Sequence, residues 1–97
     1  MERDGDIALI RQNLGRRIRK LRKSLGMSQY VFSKMAGINR TYLIDVEKGR
    51  RNVSVDNLIR ISSGLDVKMS VLFEDVDTIS YVEERYEGTI PIDPPVA

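Results

Sequence analysis

Residues 28–49 constrain the fold of this 97-residue chain more than any other stretch. They indicate two short helices joined by a tight turn at Gly37, with Ser28 and Asn39 at the two helix starts. Serine and asparagine are favourable N-caps, because their side-chain oxygens accept hydrogen bonds from free N–H groups of a first helical turn. Glycine supplies the permissive backbone angles that so short a connection needs. The stretch therefore predicts a pair of helices held at a fixed mutual angle.

Apolar residues elsewhere recur at helical spacing and predict three more helices, one before this pair and two after it. Helix one is expected at about residues 10–25 with Gly26 as its left-handed stop, and helix five as a short turn near residues 70–73. Gly49 is expected to end helix three, and Gly64 to mark a turn near the end of helix four. The expected inward residues of the five helices are Leu14, Ile18, Leu21 and Leu25; Phe32, Met35 and Ala36; Ile38, Leu43 and Val46; Val55, Leu58, Ile61 and Leu65; and Met69, Leu72 and Phe73. The predicted fold class is all-α, with five short helices around one core.

Composition excludes several classes of function. The chain contains no cysteine and no histidine, and no pair of carboxylates stands beside a plausible base. We therefore expect neither an enzyme nor a metal or cofactor site. No apolar run approaches the roughly 20 residues of a membrane span, and the mixed-charge N-terminus lacks the layout of a signal peptide. The absence of cysteine fits a cytoplasmic protein.

Charge is segregated along the chain. Residues 7–73 carry fourteen Lys and Arg against four Asp and Glu, whereas residues 74–97 carry seven Asp and Glu and a single Arg. A basic body attracts phosphate backbones and steers association with them. An acidic segment is repelled by DNA, so we expect it to lie away from the binding face.

The outer side of helix three carries side chains that can recognise base edges. Arginine bonds guanine bidentately, threonine bonds a base edge or touches a thymine methyl, and isoleucine packs on that methyl. Asp45 has two open interpretations, accepting from cytosine or orienting Arg40 five residues earlier. We predict a helix-turn-helix whose second helix, the recognition helix, lies in the major groove of double-stranded DNA. The predicted base-contacting residues are Gln29, Arg40, Thr41, Ile44 and Asp45.

A second set of residues is expected to contact phosphates. A basic loop directly after helix three would clamp the backbone flanking the site. Gln29, at the start of helix two, is expected to be exposed; a phosphate contact, a base contact and a neutral surface position remain open for it. Packing and a phosphate contact remain open for Tyr42, and most basic residues of helix one are expected to be solvated. The predicted phosphate-contacting residues are Ser28, Asn39, Tyr42, Lys48, Arg50, Arg51 and Asn52.

Three segments follow from these patterns. We expect a flexible N-terminus at residues 1–9, a helix-turn-helix domain at residues 10–75 and an acidic C-terminal tail at residues 76–97. A capping box predicts a short helix at residues 80–87, but alternation at residues 78–81 also permits an edge strand. The proline-rich end is expected to be extended. The tail's tyrosines and apolar residues indicate that it docks, either onto a partner or onto the chain's own body.

Several short motifs occur in one order along residues 12–75. They are Met27-Ser-Gln29, Ala36-Gly-Ile38, Asn39-Arg-Thr-Tyr-Leu43, Val46-Glu-Lys-Gly49, Arg51-Asn52 and the run Leu58…Ile61…Leu65…Leu72-Phe73. Together they resemble the Cro/CI-type helix-turn-helix family, also called the xenobiotic-response-element family of bacterial and phage regulators. The resemblance implies a five-helix domain that usually binds palindromic operators as a homodimer. Residues 39–53 somewhat resemble the restriction-modification controllers of that family.

The resemblance also implies roles for individual residues. Arg22 and Glu47 match the family's partly buried ion pair between helices one and three, which would brace the recognition helix. Ser33 departs from the family, which usually has alanine where helices two and three approach. Its hydroxyl needs a partner, such as a backbone carbonyl one turn earlier. The acidic, tyrosine-containing tail has no counterpart in the motifs.

The leading hypothesis is a sequence-specific, homodimeric transcriptional regulator such as a repressor. The alternative is a protein-interaction module, an antitoxin or antagonist whose C-terminal tail binds a partner protein. A two-fold dimer would present two recognition helices about 34 Å apart, one turn of DNA. Its interface is predicted at the end of helix four, helix five and the start of the tail, where apolar residues exceed what one small core must bury. The predicted interface residues are Leu65, Met69, Val71, Val76 and Ile79.

Overall fold

The computed structural model describes residues 3–77 of the chain, and over these residues it contains five α-helices and no strand. The helices are α1 (Arg3–Ser24), α2 (Gln29–Ala36), α3 (Arg40–Glu47), α4 (Val55–Leu65) and α5 (Met69–Leu72). The predicted all-α class with five helices is confirmed. The helix or strand predicted within residues 78–87 and the extended end that follows lie outside the described residues. Within residues 3–77, no helix combines the length and the apolar character that a membrane crossing requires.

The first helix is longer at its N-terminal end than the sequence indicated. α1 begins at Arg3 and not near residue 10, so residues 3–9, expected to be flexible, form about two helical turns. Ile7 and Ile10 extend the inward spacing of helix one beyond the core, which favours continuation of the helix. Asp6 in the first turn interacts favourably with the positive end of the helix dipole.

The core draws on all five helices. Its fully buried large side chains are Ile18, Phe32, Leu43, Val46, Ile61 and Leu72. These residues belong to the inward stripes that helical spacing predicted, so the predicted packing side of every helix is confirmed. Ser33 is also buried, and its hydroxyl donates to the Tyr30 carbonyl at 2.8 Å, the local partner that its position required.

Four residues predicted to face inward are exposed instead, and each lies at a helix end or on a helix flank. They are Leu25, Met35, Val55 and Phe73. α1 ends before Leu25, Val55 is the first residue of α4, and Phe73 follows the last residue of α5. Met35 is 63% exposed because α2 turns the side that holds Phe32 and Ala36 inward. Helical spacing predicts the side of a helix on which a residue lies. It does not show whether a neighbouring helix extends far enough to cover that residue.

Gly64 lies inside α4 and does not mark a turn. A Cβ atom at this position would be 2.9 Å from Phe32 Cε1 and 3.2 Å from Ala36 Cβ. Glycine is therefore required for the close approach of α4 to α2. The helix ends instead at Asp66, which has a left-handed φ of 58°.

Gly15 allows an equally close approach between α1 and α3. A Cβ atom on Gly15 would lie 2.6 Å from the Glu47 carbonyl oxygen and still closer to that of Val46. The backbones of α1 and α3 are therefore in direct contact at this crossing. A larger residue at position 15 could not be accommodated by the movement of a flexible side chain. This contact fixes the C-terminal end of α3 against the middle of α1.

Two residues predicted for a dimer interface belong to the core. Leu65 is 2% exposed and Val76 is 4% exposed, so neither can contact a second chain in this conformation. Both pack into the chain's own core because α5 and the residues after it fold back towards α1. Met69 and Val71 are half-buried, and Ile79 lies outside the described residues.

Candidate nucleic-acid interface

Local hydrogen bonds build the predicted helix pair. The Ser28 hydroxyl accepts from the Val31 N–H at 3.1 Å, and the Asn39 side-chain oxygen accepts from the Tyr42 N–H at 3.1 Å. Gly37, between the two helices, has a φ of 72°, the left-handed conformation that favours glycine. Both N-caps and the turn are confirmed. They determine the direction in which α3 leaves α2.

Four of the predicted base-contacting residues lie together on the outer side of α3. Arg40 and Thr41 are exposed in its first turn, and Ile44 and Asp45, one turn later, are half-buried. Residues four apart are neighbours on a helix surface, so the four side chains form one continuous face. An exposed guanidinium therefore stands at the N-terminal end of the face, where recognition helices contact bases.

A buried ion pair anchors the inner side of α3. Arg22 Nε donates to Glu47 Oε2 at 2.7 Å, and Arg22 Nη2 donates to Glu47 Oε1 at 2.9 Å. Arg22 Nη1 also donates to the Met27 carbonyl at 2.8 Å. The bidentate geometry satisfies two charged side chains that are both buried. The structure thus brings together the two residues that the family resemblance paired, and their contact ties α3 to α1.

The same carboxylate holds Gln29. Gln29 Nε2 donates to Glu47 Oε1 at 3.0 Å, and the side chain is half-buried, where the sequence analysis expected it to be exposed. The bond connects the first residue of α2 to the last residue of α3. Sequence reasoning missed this contact, since 18 residues separate the two side chains and no local pattern links them.

The loop after α3 contacts α3 through Arg51. Arg51 Nε lies 3.6 Å from Asp45 Oδ2, and its guanidinium carbon lies 5.1 Å from the centroid of the Tyr42 ring. Asp45 therefore pairs with Arg51, and the interpretation that it orients Arg40 is wrong. Tyr42 packs against the core with this arginine over its ring, in agreement with the packing interpretation.

The other predicted phosphate-contacting residues of this loop are exposed beside α3. Lys48, Arg50 and Asn52 all have exposed side chains. The Arg50 N–H donates to the Asp45 carbonyl at 2.9 Å, which joins the loop backbone to the helix end. The loop therefore presents positive charge from a fixed position next to the outer side of α3. Within the described part of the chain, no group of acidic side chains has the makeup of a metal site.

Two short helices joined by a tight turn, the second with an arginine exposed at its N-terminal end and a basic loop after it, are typical of a helix-turn-helix DNA-binding regulator. The helix-turn-helix family matches residues 18–72, more than half of the chain, and the chain belongs to this family.

Relatives within the family are named as regulators. The chain is 41% identical over 69 residues to the control protein C.MunI of Mycoplasma sp., across 70% of this chain and 93% of that protein. It is 39% identical over 77 residues to the control protein C.BamHI of Bacillus amyloliquefaciens, across 78% of this chain and 94% of that protein. The restriction-modification controller protein C.AhdI of Aeromonas hydrophila superposes with a TM-score of 0.63 at 37% identity, across 64% of this chain and 94% of that structure.

Proposed function

We propose that this chain is a sequence-specific transcriptional regulator that binds a palindromic DNA operator as a homodimer. The observation that carries the proposal is the outer face of α3, where Arg40, Thr41, Ile44 and Asp45 stand on a helix that is anchored from behind by the Arg22–Glu47 pair. A recognition surface on a rigid element loses little freedom on binding, which favours both affinity and specificity. The names of the relatives support a controller of restriction-modification genes.

In the proposed complex, the N-terminal end of α3 enters the major groove. Arg40 bonds a guanine edge, while Thr41 and Ile44 contact neighbouring bases or a thymine methyl. Asp45 accepts from cytosine, with Arg51 beside it to limit the repulsion between its carboxylate and the phosphates. Exposed cations of the loop bind the flanking phosphates and set the register of the helix in the groove.

The dimer is needed because one domain covers only a few base pairs. Because Leu65 and Val76 are buried, the proposed interface consists instead of apolar side chains that remain accessible on α4, on α5 and just after α5. These residues are Val55, Ile59, Met69, Val71 and Phe73. Because α4 packs against α5, one isologous patch can join two copies through these elements.

Selection of bound fragments from a random DNA pool tests the proposal, with the full chain as bait. We expect enrichment of an inverted repeat whose half-sites are centred about one helical turn, roughly 34 Å, apart. The Arg40→Ala variant, selected in parallel, is the matched control, and it should lose the preference at one base pair of each half-site. A pool that stays random with the unmodified chain would contradict the proposal and favour the protein-interaction alternative.

Sedimentation at micromolar concentration tests the dimer separately. We expect the unmodified chain to sediment as a dimer and Ile59→Asp to sediment as a monomer, since the new carboxylate would be buried at the interface. Met35→Asp places the same charge on an exposed apolar residue of α2 and should leave the dimer intact. If Ile59→Asp also sediments as a dimer, the interface does not involve Ile59 of α4.

A further inference from the structure

The N-terminal third of α1 carries an apolar side that remains exposed. Ile7 is 46% exposed and Ile10 is 37% exposed, although they continue the spacing of the buried Leu14. Leucine and isoleucine at this spacing form one stripe along a helix, so the core-facing side of α1 extends past the core itself. Two exposed isoleucines on one side of a helix form an apolar surface that another segment can bury.

The C-terminal end of the described chain runs along α1 towards this stripe. Arg17 Nε donates to the Val71 carbonyl at 3.1 Å, and Arg17 Nη2 donates to Glu74 Oε1 at 2.8 Å. One turn closer to the N-terminus of α1, Asn13 Nδ2 donates to the Val76 carbonyl at 2.7 Å. Residues 71–76 therefore run along α1 from Arg17 to Asn13, antiparallel to the helix.

Continuing in this direction leads to the exposed stripe. Ile10 lies three residues beyond Asn13 and Ile7 three residues further, about 4.5 Å and 9 Å along the helix axis. An extended chain advances about 3.3 Å per residue. From Val76, opposite Asn13, three extended residues span about 10 Å and bring Ile79 to the level of this stripe.

We propose that the segment leading to Ile79 packs on α1 of the same chain, with Ile79 against Ile7 and Ile10, and covers part of the N-terminal third of α1. The segment extends the antiparallel path that Val71, Glu74 and Val76 begin. With Ile79 against α1, the dimer interface would not include this residue.

Engineered disulfide formation in the full chain is the direct test. The natural sequence has no cysteine, so Ile10→Cys combined with Ile79→Cys introduces the only two thiols. A disulfide needs the two Cα atoms within about 7 Å. Under mild oxidation we expect a monomeric product that carries an internal disulfide, identified by its mobility on a non-reducing gel and by peptide mass. Met35→Cys combined with Ile79→Cys is the control, because Met35 is exposed on α2, away from this path.

Two outcomes would overturn the proposal. A disulfide that joins two chains would show that a second copy covers the stripe. An internal disulfide that forms no faster than in the control would show that the tail does not dock on α1.

Amide hydrogen exchange provides a second measurement that does not depend on oxidation. Ile79→Asp should accelerate exchange at residues 7–11 by several-fold, because the first turns of α1 lose their cover, and should leave exchange at residues 18–22 unchanged. Ile92→Asp places the same charge further along the tail and should change neither. Equal exchange at residues 7–11 in both variants contradicts the proposal.

Discussion

The inner and outer sides of α3 are built from opposite kinds of contact. The inner side meets α1 through a backbone-to-backbone approach at Gly15 and through the buried Arg22–Glu47 pair. The outer side presents Arg40 and Thr41 to solvent and holds Asp45 through a partly exposed ion pair with Arg51, 3.6 Å long. The inner contacts are short and buried, whereas the outer contacts are long and solvated.

This difference separates positioning from recognition. Buried, fully bonded groups hold one geometry, because any movement leaves a charge unpaired in a low-dielectric environment. Solvated side chains can exchange water for bases or phosphates at little cost. Substitutions on the inner side should therefore reduce stability, and substitutions on the outer side should reduce DNA binding at unchanged stability.

The largest expected effect is that of Glu47→Ala. This substitution leaves the buried Arg22 guanidinium without its carboxylate and removes the acceptor of Gln29. Breaking a buried ion pair by removing one partner typically costs about 3–5 kcal/mol. We expect a loss of this size in the free energy of unfolding, measured by denaturant titration.

The double variant Arg22→Met with Glu47→Leu is the control for that prediction. Replacing a buried pair with apolar residues of similar size is often close to neutral, so the double variant should be more stable than Glu47→Ala alone. If Glu47→Ala unfolds at the same denaturant concentration as the unmodified chain, the pair does not anchor α3.

The next effect in size is that of Gly15→Ala. The added methyl group would overlap the carbonyl oxygens of Val46 and Glu47, so α1 and α3 must separate. Overpacking of this kind costs about 1–3 kcal/mol. Gly26→Ala is a useful comparison, because the open space around Gly26 leaves only the strain of its positive φ. If Gly15→Ala is as stable as the unmodified chain, the approach of α1 to α3 is not as close as the structure indicates.

Features that depend on neighbouring residues in the chain could be predicted from the sequence. The N-caps at Ser28 and Asn39 and the turn at Gly37 involve groups within a few residues of each other. Because these contacts are local, residue type and position were sufficient to predict them. The outer face of α3 also followed from helical spacing, since its members lie on one side of a single helix.

Features that depend on tertiary neighbours could not be predicted in this way. The bond from Gln29 to Glu47 and the burial of Val76 arise only when distant segments meet. Orientation of Arg40 was one of two interpretations of Asp45, but the loop brings Arg51 to this carboxylate instead. Gly64 was expected to mark a turn, whereas here it lies inside α4 and allows Phe32 to approach that helix.

On the outer side, Arg40→Ala should affect binding and not folding. Loss of a bidentate arginine–guanine contact costs about 1–3 kcal/mol and relaxes the preference at that base pair. Because Arg40 is exposed, the free energy of unfolding should stay within about 0.5 kcal/mol of the unmodified chain. Titration of cognate and random DNA measures the binding part. An equal loss on both would show that Arg40 contacts only phosphate.

The smallest expected effects are those of the loop cations, and they should appear in the salt dependence of binding. Each phosphate neutralised contributes about 0.9 to the slope of log K against log salt concentration. Arg50→Ala and Arg51→Ala should each reduce the slope by about this amount on any DNA sequence. Arg51→Ala should weaken binding further, because it also leaves the Asp45 carboxylate uncompensated on the recognition face.

Arg60→Ala is the matched control: this arginine is exposed on α4, where it bonds Asn57, and its loss should leave the slope unchanged. An unchanged slope in Arg50→Ala and Arg51→Ala would place both side chains off the DNA and confine the outer side to α3 itself.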